Sequence, residues 1–191
     1  DVRSISEGDQ VAAEVTADFR VDGSPGTDQE TVSVEFYDRN AIRWDDDKKI
    51  AAFVTTRDTE LQPFVRPLAS AVRRNRIAAV SENLQMAMMM FNALVGRGCS
   101  YVPDPTSPYE ERSQNPLAID FVQFPRQTLV YGAGDCDDLS VTFNALLEAV
   151  GVPTAFLTIP GHIFSAFRLD MNHDQALATF RRPDEFIFRE D

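Results

Sequence analysis

The sequence predicts an α+β protein in which a small antiparallel β unit, residues 1–58, precedes a helix-rich core, residues 59–191. In the first part, Val32, Val34 and Phe36 alternate with polar residues, which is the period of a half-buried strand. In the second part, apolar residues recur every three or four positions, as expected of amphipathic helices. Strands and helices that are segregated along the chain in this way are typical of α+β folds.

Within residues 1–58 we expect strands, and no helix longer than a turn or two. Asp22 to Gly26 is a turn-rich break, and Asp45-Asp46-Asp47-Lys48 is a second turn. The Asp triplet lacks the spacing of a calcium-binding loop, so we interpret it as a solvated turn. The predicted strands cover residues 11–21, 32–37, 41–44 and 50–56.

Two apolar stripes predict two helices, or one kinked helix, at the start of the second part. The first stripe contains Val65, Leu68 and Val72, and a slip in the period separates it from the second. Gly96 and Gly98 end the second helix, and the methionines near its middle are interpreted as core residues. The second stripe consists of Ile77, Val80, Leu84, Met88, Phe91 and Val95.

The composition excludes several classes of partner. The chain carries 18 Lys and Arg against 30 Asp and Glu, a net charge of −12 at pH 7. Nucleic acid affinity depends on basic residues that neutralise phosphates, so we expect no nucleic acid partner. No apolar run is long enough for a membrane span. Because the chain starts with Asp rather than Met, we expect a processed or trimmed piece, which favours an exported or cell-envelope location over the cytoplasm.

Cys136 is predicted to lie in the first turn of a helix. Gly132 and Gly134 allow a tight turn before it, and Asp135 and Asp137 are residues that cap and begin helices. The positive end of a helix stabilises a thiolate, and the unpaired amides of the first turn can donate to an oxyanion. The neighbouring acids raise the pKa of the thiol, so a nearby imidazolium is needed to activate it.

His162 begins the second of two strands that are predicted after the Cys136 helix. Residues 155–159 form the first strand, a Pro-Gly turn follows, and residues 162–169 form the second. The second strand is largely apolar on both faces, so we expect it at the centre of its sheet. A helix followed by adjacent strands can bring the thiol and the imidazole together as a Cys–His pair. We therefore predict that Cys136 and His162 are the catalytic residues.

These motifs resemble a known family. Gly134-Asp135-Cys136-Asp137-Asp138, the helix that ends at Gly151 and the following Gly161-His162 are similar to the transglutaminase-like (papain-related) cysteine peptidase superfamily, in particular its bacterial members. The resemblance covers about residues 62–191. It implies a fold in which a Cys-bearing helix packs on an antiparallel sheet that carries the His and an acidic partner. It also implies that Cys136 is the nucleophile, that its amide serves the oxyanion hole, and that His162 acts as general base and then acid.

The third catalytic residue stays open. Asp170 ends the strand of His162, which is a poor position. The family pattern places the acid on the next strand, expected at Phe186 to Phe188 or beyond the last residue. Our hypothesis is that the chain is a fragment without this acid, or that a substitute is used. Gln123 and Gln127 are the candidates for an oxyanion-hole side chain.

The resemblance implies a thiol-dependent hydrolase that acts on a peptide or protein substrate, and we predict no cofactor and no metal. One alternative is a catalytically silent fold that binds a protein. A second is a metal site formed by Cys136, His162 and nearby aspartates, although no typical ligand spacing supports it. A disulfide between Cys99 and Cys136 would also silence the site.

Overall fold

The computed structural model describes residues 9–104, 109, 115, 118–182 and 186–187. Helices and small two-stranded sheets make the protein α+β, as the sequence predicts. The chain divides into two compact units, Asp1–Ala41 and Ile42–Asp191. The predicted boundary after residue 58 is therefore corrected to an earlier position. The reason is that this stretch contributes four buried side chains to the core of the second unit: Ile42, Trp44, Ile50 and Phe53.

The first unit contains a long hairpin. Its strands β1 (Asp9–Val21) and β2 (Ser24–Phe36) pair antiparallel over their full length. Asp22 and Gly23 join them in a two-residue turn, with φ angles of 48° and 84°. Turns of this hand match the natural twist of paired strands. The sequence predicts a longer break, and this is wrong for its last three residues, which belong to β2.

Four very short strands join distant parts of the chain. β3 (Ala41–Ile42) pairs with β5 (Asp120–Phe121). β4 (Ser100–Tyr101) pairs in parallel with β6 (Ala133–Gly134). The strand predicted at residues 41–44 is therefore confirmed only in its first half.

The strand predicted at residues 50–56 is wrong, because Asp47–Phe53 is a 3-10 helix. Such a helix has three residues per turn, so Ile50 and Phe53 lie on one side of it, and both are buried. The side chain of Asp46 caps this helix by accepting a 3.0 Å hydrogen bond from the backbone of Lys48. Two apolar residues three positions apart therefore pack into the core from one side of a 3-10 helix, and no strand forms here.

Two helices follow, as predicted: α1 (Leu61–Arg74) and α2 (Glu82–Gly96). The predicted core stripe of α2 is wrong, because Met88, Phe91 and Val95 are more than half exposed. Apolar residues occur on most sides of α2, so its periodicity does not define one buried face. The side chains that α2 buries are Met86, Ala87, Met90 and Leu94.

The central helix of the second unit carries the predicted nucleophile. A short helix that the sequence did not predict, α3 (Pro125–Tyr131), precedes it. The central helix, α4 (Cys136–Glu148), begins where the sequence predicts and is followed by Gly151, with φ of 88°. Its residues Leu146 and Leu147 are fully buried in a core that is shared with α1 and α2.

A second hairpin follows α4. Strands β7 (Thr154–Ile159) and β8 (His162–Phe167) pair antiparallel, and α4 packs against both. The predicted central position of β8 is wrong within the described residues, where β8 pairs with β7 alone. The apolar character of β8 is explained by its packing against α4 rather than by two neighbouring strands. A short helix, α5 (His173–Thr179), follows. Of the helices in the described residues, none has the length and apolar character that crossing a membrane requires.

Candidate functional site

Two glycines before α4 have different roles. Gly132 has a φ of 66° and ends α3 in the left-handed conformation, which glycine adopts at little cost. Gly134 lies very close to the first turn of α4, where a Cβ on it would be 2.5 Å from the Cβ of Asp138. The predicted turn is therefore made at Gly132, whereas Gly134 is needed because nothing larger fits.

Cys136 is the first residue of α4, and Asp135 is the N-cap residue before it, as predicted. The Cys136 side chain is 7% exposed and packs in an apolar cluster that includes Ile163. The backbone amides of Ile163, Cys136 and Asp137 lie near the sulfur and act to lower the pKa of the thiol. Amides that converge in this way at the positive end of a helix stabilise negative charge.

Burial nevertheless raises the pKa of the Cys136 thiol to about 11. The negative charge of Asp135 raises it further, and the three backbone amides act in the opposite direction. With a pKa of about 11, only about 10⁻⁴ of the thiol is ionised at pH 7. The sequence predicts that acids oppose the helix dipole here, but burial is the larger effect, and only the tertiary structure reveals it.

His162 is the first residue of β8, and its side chain is exposed. Its ring stacks on that of Phe164, with the two centroids 5.9 Å apart. Cys136 packs against Ile163, the next residue, and the Ile163 amide acts to lower the pKa of the thiol, so the thiol lies close to the strand of His162. Among the described residues, the thiol and the imidazole are not joined by a hydrogen bond. The structure therefore brings Cys136 to the strand of His162 but leaves the imidazole against Phe164.

Four aspartates are buried around the start of α4: Asp120, Asp135, Asp137 and Asp138. Burial raises the pKa of Asp137 well above its usual range, and a hydrogen bond to the Asp135 side chain and neighbouring negative charges raise it further. Burial raises the pKa of Asp138 to about 7, and the Gln123 amide, which donates to its Oδ1 at 2.7 Å, acts in the opposite direction. The site therefore holds bound protons near neutral pH.

Three of these aspartates form a set of oxygen donors. Asp135, Asp137 and Asp138 each offer a carboxylate oxygen within 4.8 Å of the others, which suits a hard divalent cation. Such an ion would have to displace the protons that Asp137 and Asp138 hold. Cys136 and His162 are not part of this set, so the described residues do not support a metal site with thiol and imidazole ligands.

The two candidate glutamines differ in position. Oε1 of Gln127 accepts a 2.7 Å hydrogen bond from the backbone of Phe124, so this side chain stabilises the start of α3. The backbone N–H of Gln123 donates a hydrogen bond to the Asp138 side chain. The side-chain Oε1 of Gln123 is buried without a hydrogen-bond partner in the described part of the chain. Gln123 is therefore the glutamine that lies beside the site.

The structure also bears on the remaining candidates. Asp170 accepts a 2.8 Å hydrogen bond from Asn83 and forms an ion pair with Arg168, so it is tied to α2 and its own strand end rather than to His162. The strand expected from Phe186 to Phe188 lies partly outside the described residues. Both cysteines are free, so the alternative of a Cys99–Cys136 disulfide is wrong.

One described cavity lies away from this chemistry. It has a volume of about 520 Å³, and neither Cys136 nor His162 lines it. Its walls come from the 3-10 helix Asp47–Phe53, the end of α4 at Glu148 and the strand β7. The cavity therefore lies toward the end of α4 opposite to Cys136.

Sequence reasoning missed two residues that support the site. The indole N–H of Trp44 donates a 2.7 Å hydrogen bond to the buried carboxylate of Asp120. The negative charge of Asp120 in turn raises the pKa of Asp137. A usable signal exists for Asp120, which is an isolated acid in the apolar segment Leu117-Ala-Ile-Asp-Phe-Val122. A buried acid is expected to have a specific partner.

Comparisons with known proteins identify no relative, so the function has to be inferred from the site itself. No protein-family model matches the chain, and no curated protein or solved structure is significantly similar to it.

Proposed function

We propose that the chain is a thiol-dependent acyl-transfer enzyme with a transglutaminase-like core, which hydrolyses peptide or amide bonds through a thioester on Cys136. One observation carries the proposal. Cys136 is the first residue of a buried helix and packs against Ile163, which directly follows His162 in the sequence. A nucleophile, a base and oxyanion donors are then all supplied by two adjacent elements, α4 and β8.

In the proposed reaction, His162 takes the thiol proton as the sulfur of Cys136 attacks the substrate carbonyl carbon, and a C–S bond forms. The carbonyl oxygen becomes an oxyanion, for which the amides near the sulfur are available donors. When the C–N bond breaks, the imidazolium returns its proton to the leaving amine. Water, deprotonated by the same imidazole, then attacks the thioester and releases the acid and the free thiol.

The raised thiol pKa makes His162 essential to this proposal. A thiol with a pKa of about 11 is a poor nucleophile at neutral pH unless a base removes its proton during attack. His162 is exposed, and within the described residues only the Phe164 ring contact holds its imidazole. Side chains alternate across a strand, and Ile163 is the residue that faces the Cys136 cluster, so the imidazole lies on the other face of β8. Movement of the start of β8 that brings the imidazole to the thiol is therefore a required step of the proposed mechanism.

The test is the pH dependence of iodoacetamide alkylation in a Cys99→Ala background, where Cys136 is the remaining cysteine. We expect the parent to be alkylated at neutral pH at least about tenfold faster than His162→Ala, because the imidazole removes the thiol proton during attack. The His162→Ala variant should retain a single ionisation near 11. His173→Ala removes the other, exposed histidine and should match the parent. Identical profiles for the parent and His162→Ala would contradict the Cys–His pair.

A second candidate function is a catalytically silent protein-binding module. It is favoured by the raised pKa of the Cys136 thiol and by the stacking of the imidazole on Phe164 rather than on the thiol. It predicts that parent and His162→Ala share one ionisation near 11. The same alkylation experiment therefore distinguishes the two functions.

A further inference from the structure

The hairpin β1–β2 has two chemically different faces. Its register pairs Val11 with Val34, Ala13 with Val32, and Val15 with Glu30. Because side chains alternate across a strand, every second residue of β1 and its partner on β2 lie on one face. The apolar residues of this face are Val11, Ala13, Val15, Ala17, Phe19, Val21, Val32, Val34 and Phe36. We call these residues the apolar hairpin face.

The opposite face is polar and bonded across the strands. Thr27 donates to Asp18 at 2.7 Å, and Gln29 approaches the Thr16 hydroxyl at 3.5 Å. Cross-strand pairs of this kind stabilise a face that contacts water. The polar face therefore needs no further partner, and the asymmetry between the two faces assigns any docking to the apolar one.

Several large apolar side chains of β1 on this face are exposed, although side chains of this kind are usually buried in folded proteins. Val15 is 51% exposed, Phe19 is 48% exposed and Val21 is 61% exposed. The Phe19 ring covers Gly26, its partner across the strands. A two-stranded hairpin gains little stability in water unless its apolar face is covered. The exposed apolar side chains run along β1, whereas Val32, Val34 and Phe36 on β2 are half-buried. An exposed apolar stripe of this kind is typical of a protein interface.

Charge decides between possible occupants. Asp28 and Glu30 lie on the apolar hairpin face, opposite Ala17 and Val15 in the register. The only basic residue among residues 10–36 is Arg20, and it belongs to the polar face. A second copy of this hairpin would bring like charges together inside a partly desolvated interface, which opposes association. A partner with basic side chains at that position would instead form ion pairs.

We propose that the apolar hairpin face is a docking surface for a different protein, whose contact surface is apolar at its centre and carries Lys or Arg opposite Asp28 and Glu30. The two surfaces pack face to face, with Val15 and Phe19 at the middle of the contact. This docking surface lies in the first unit and does not depend on the chemistry proposed for Cys136.

The test uses a variant of the protein itself as the partner, in which lysines replace the two acids on the apolar hairpin face. The full-length chain is mixed with its Asp28→Lys/Glu30→Lys variant, and association is followed by sedimentation velocity. The variant offers the same apolar residues with the opposite charge. We expect the mixture to form a heterodimer at least about tenfold tighter than either chain alone forms a homodimer, because unlike charges replace like ones. Added salt should weaken the heterodimer.

Two control variants keep the result specific to this face. Thr16→Lys/Thr31→Lys places two lysines on the polar face instead and should not associate with the parent. Val15→Ser/Phe19→Ser, made in the Lys-bearing chain, should abolish the heterodimer. Backbone hydrogen exchange of residues 10–36 checks that every variant keeps the hairpin.

Three outcomes would overturn the proposal. A mixture that stays monomeric would mean that the apolar hairpin face does not dock such a surface. Equally tight dimerisation of the parent alone would assign the face to a second copy of the chain. Binding of the parent to neutral phosphatidylcholine vesicles, lost in Val15→Ser/Phe19→Ser, would assign it to a lipid surface.

Discussion

The indole Nε1 of Trp44 donates a 2.7 Å hydrogen bond to Oδ2 of Asp120, and both residues are buried. This bond joins two segments that lie 76 residues apart in the sequence. It also supplies a donor to one of the four buried carboxyl groups around the start of α4. The acids near Cys136 are thus part of the fold as well as of the candidate site.

Trp44→Phe should destabilise the protein by about 2–4 kcal/mol, because it removes a donor from a buried carboxylate and some packing volume. A double-mutant cycle with Asp120→Asn separates the two effects, since loss of volume alone gives no coupling between these positions. Urea unfolding supplies the free energies, and the matched cycle with Asp174→Asn, a fully exposed acid, should show no coupling. Additive effects for the first pair would mean that the bond does not contribute.

Stability should fall as the pH rises from about 4 to above 7, because Asp138 has a pKa of about 7 in the folded protein and an ordinary value near 3.8 when unfolded. The folded state holds this proton more tightly, so its contribution is fully present below pH 4 and is lost through pH 7. The size is about 4 kcal/mol. Asp138→Asn keeps an acceptor for the Gln123 amide and should flatten the dependence of the unfolding free energy on pH.

The exposed Asp174→Asn is the control for that measurement and should retain the slope of the parent. An Asp138→Asn variant whose slope equals that of the parent would assign the effect to other groups, of which the buried Asp137 is the first to examine.

Gly134→Ala should destabilise the protein by about 1–3 kcal/mol, since its Cβ would overlap Asp138 at the start of α4. Gly96→Ala is the matched control, because a Cβ there has no neighbour within 4 Å and the residue is the last of α2. Alanine favours helix over glycine, so Gly96→Ala should stabilise by up to about 1 kcal/mol. Thermal unfolding of both variants checks the opposite signs, and a stable Gly134→Ala would show that this turn has spare room.

Leu146→Ala should cost about 2–5 kcal/mol, because Leu146 is fully buried between α4 and the neighbouring helices. Leu177→Ala makes the same substitution at a helical position that is 43% exposed, and it should cost less than about 1 kcal/mol. Equal losses in urea unfolding would contradict α4 as the central helix.

Local chemistry determined a large part of this protein from the sequence. The β1–β2 hairpin, the two helices α1 and α2, and the β7–β8 hairpin follow from apolar period and turn residues, which act between near neighbours. The position of Cys136 was predicted for the same reason, since a glycine turn and a capping acid at Asp135 specify a helix start within a few residues.

Other features depended on which surfaces meet, and only the tertiary structure decided them. Apolar side chains on several sides of α2 left the buried face undefined until α1 and α4 packed against it, which exposed Phe91. The segment at Ile50 is a 3-10 helix, in which Ile50 and Phe53 are both buried in the core. The acidity of Cys136 and Asp138 was set by burial, which no local pattern encodes.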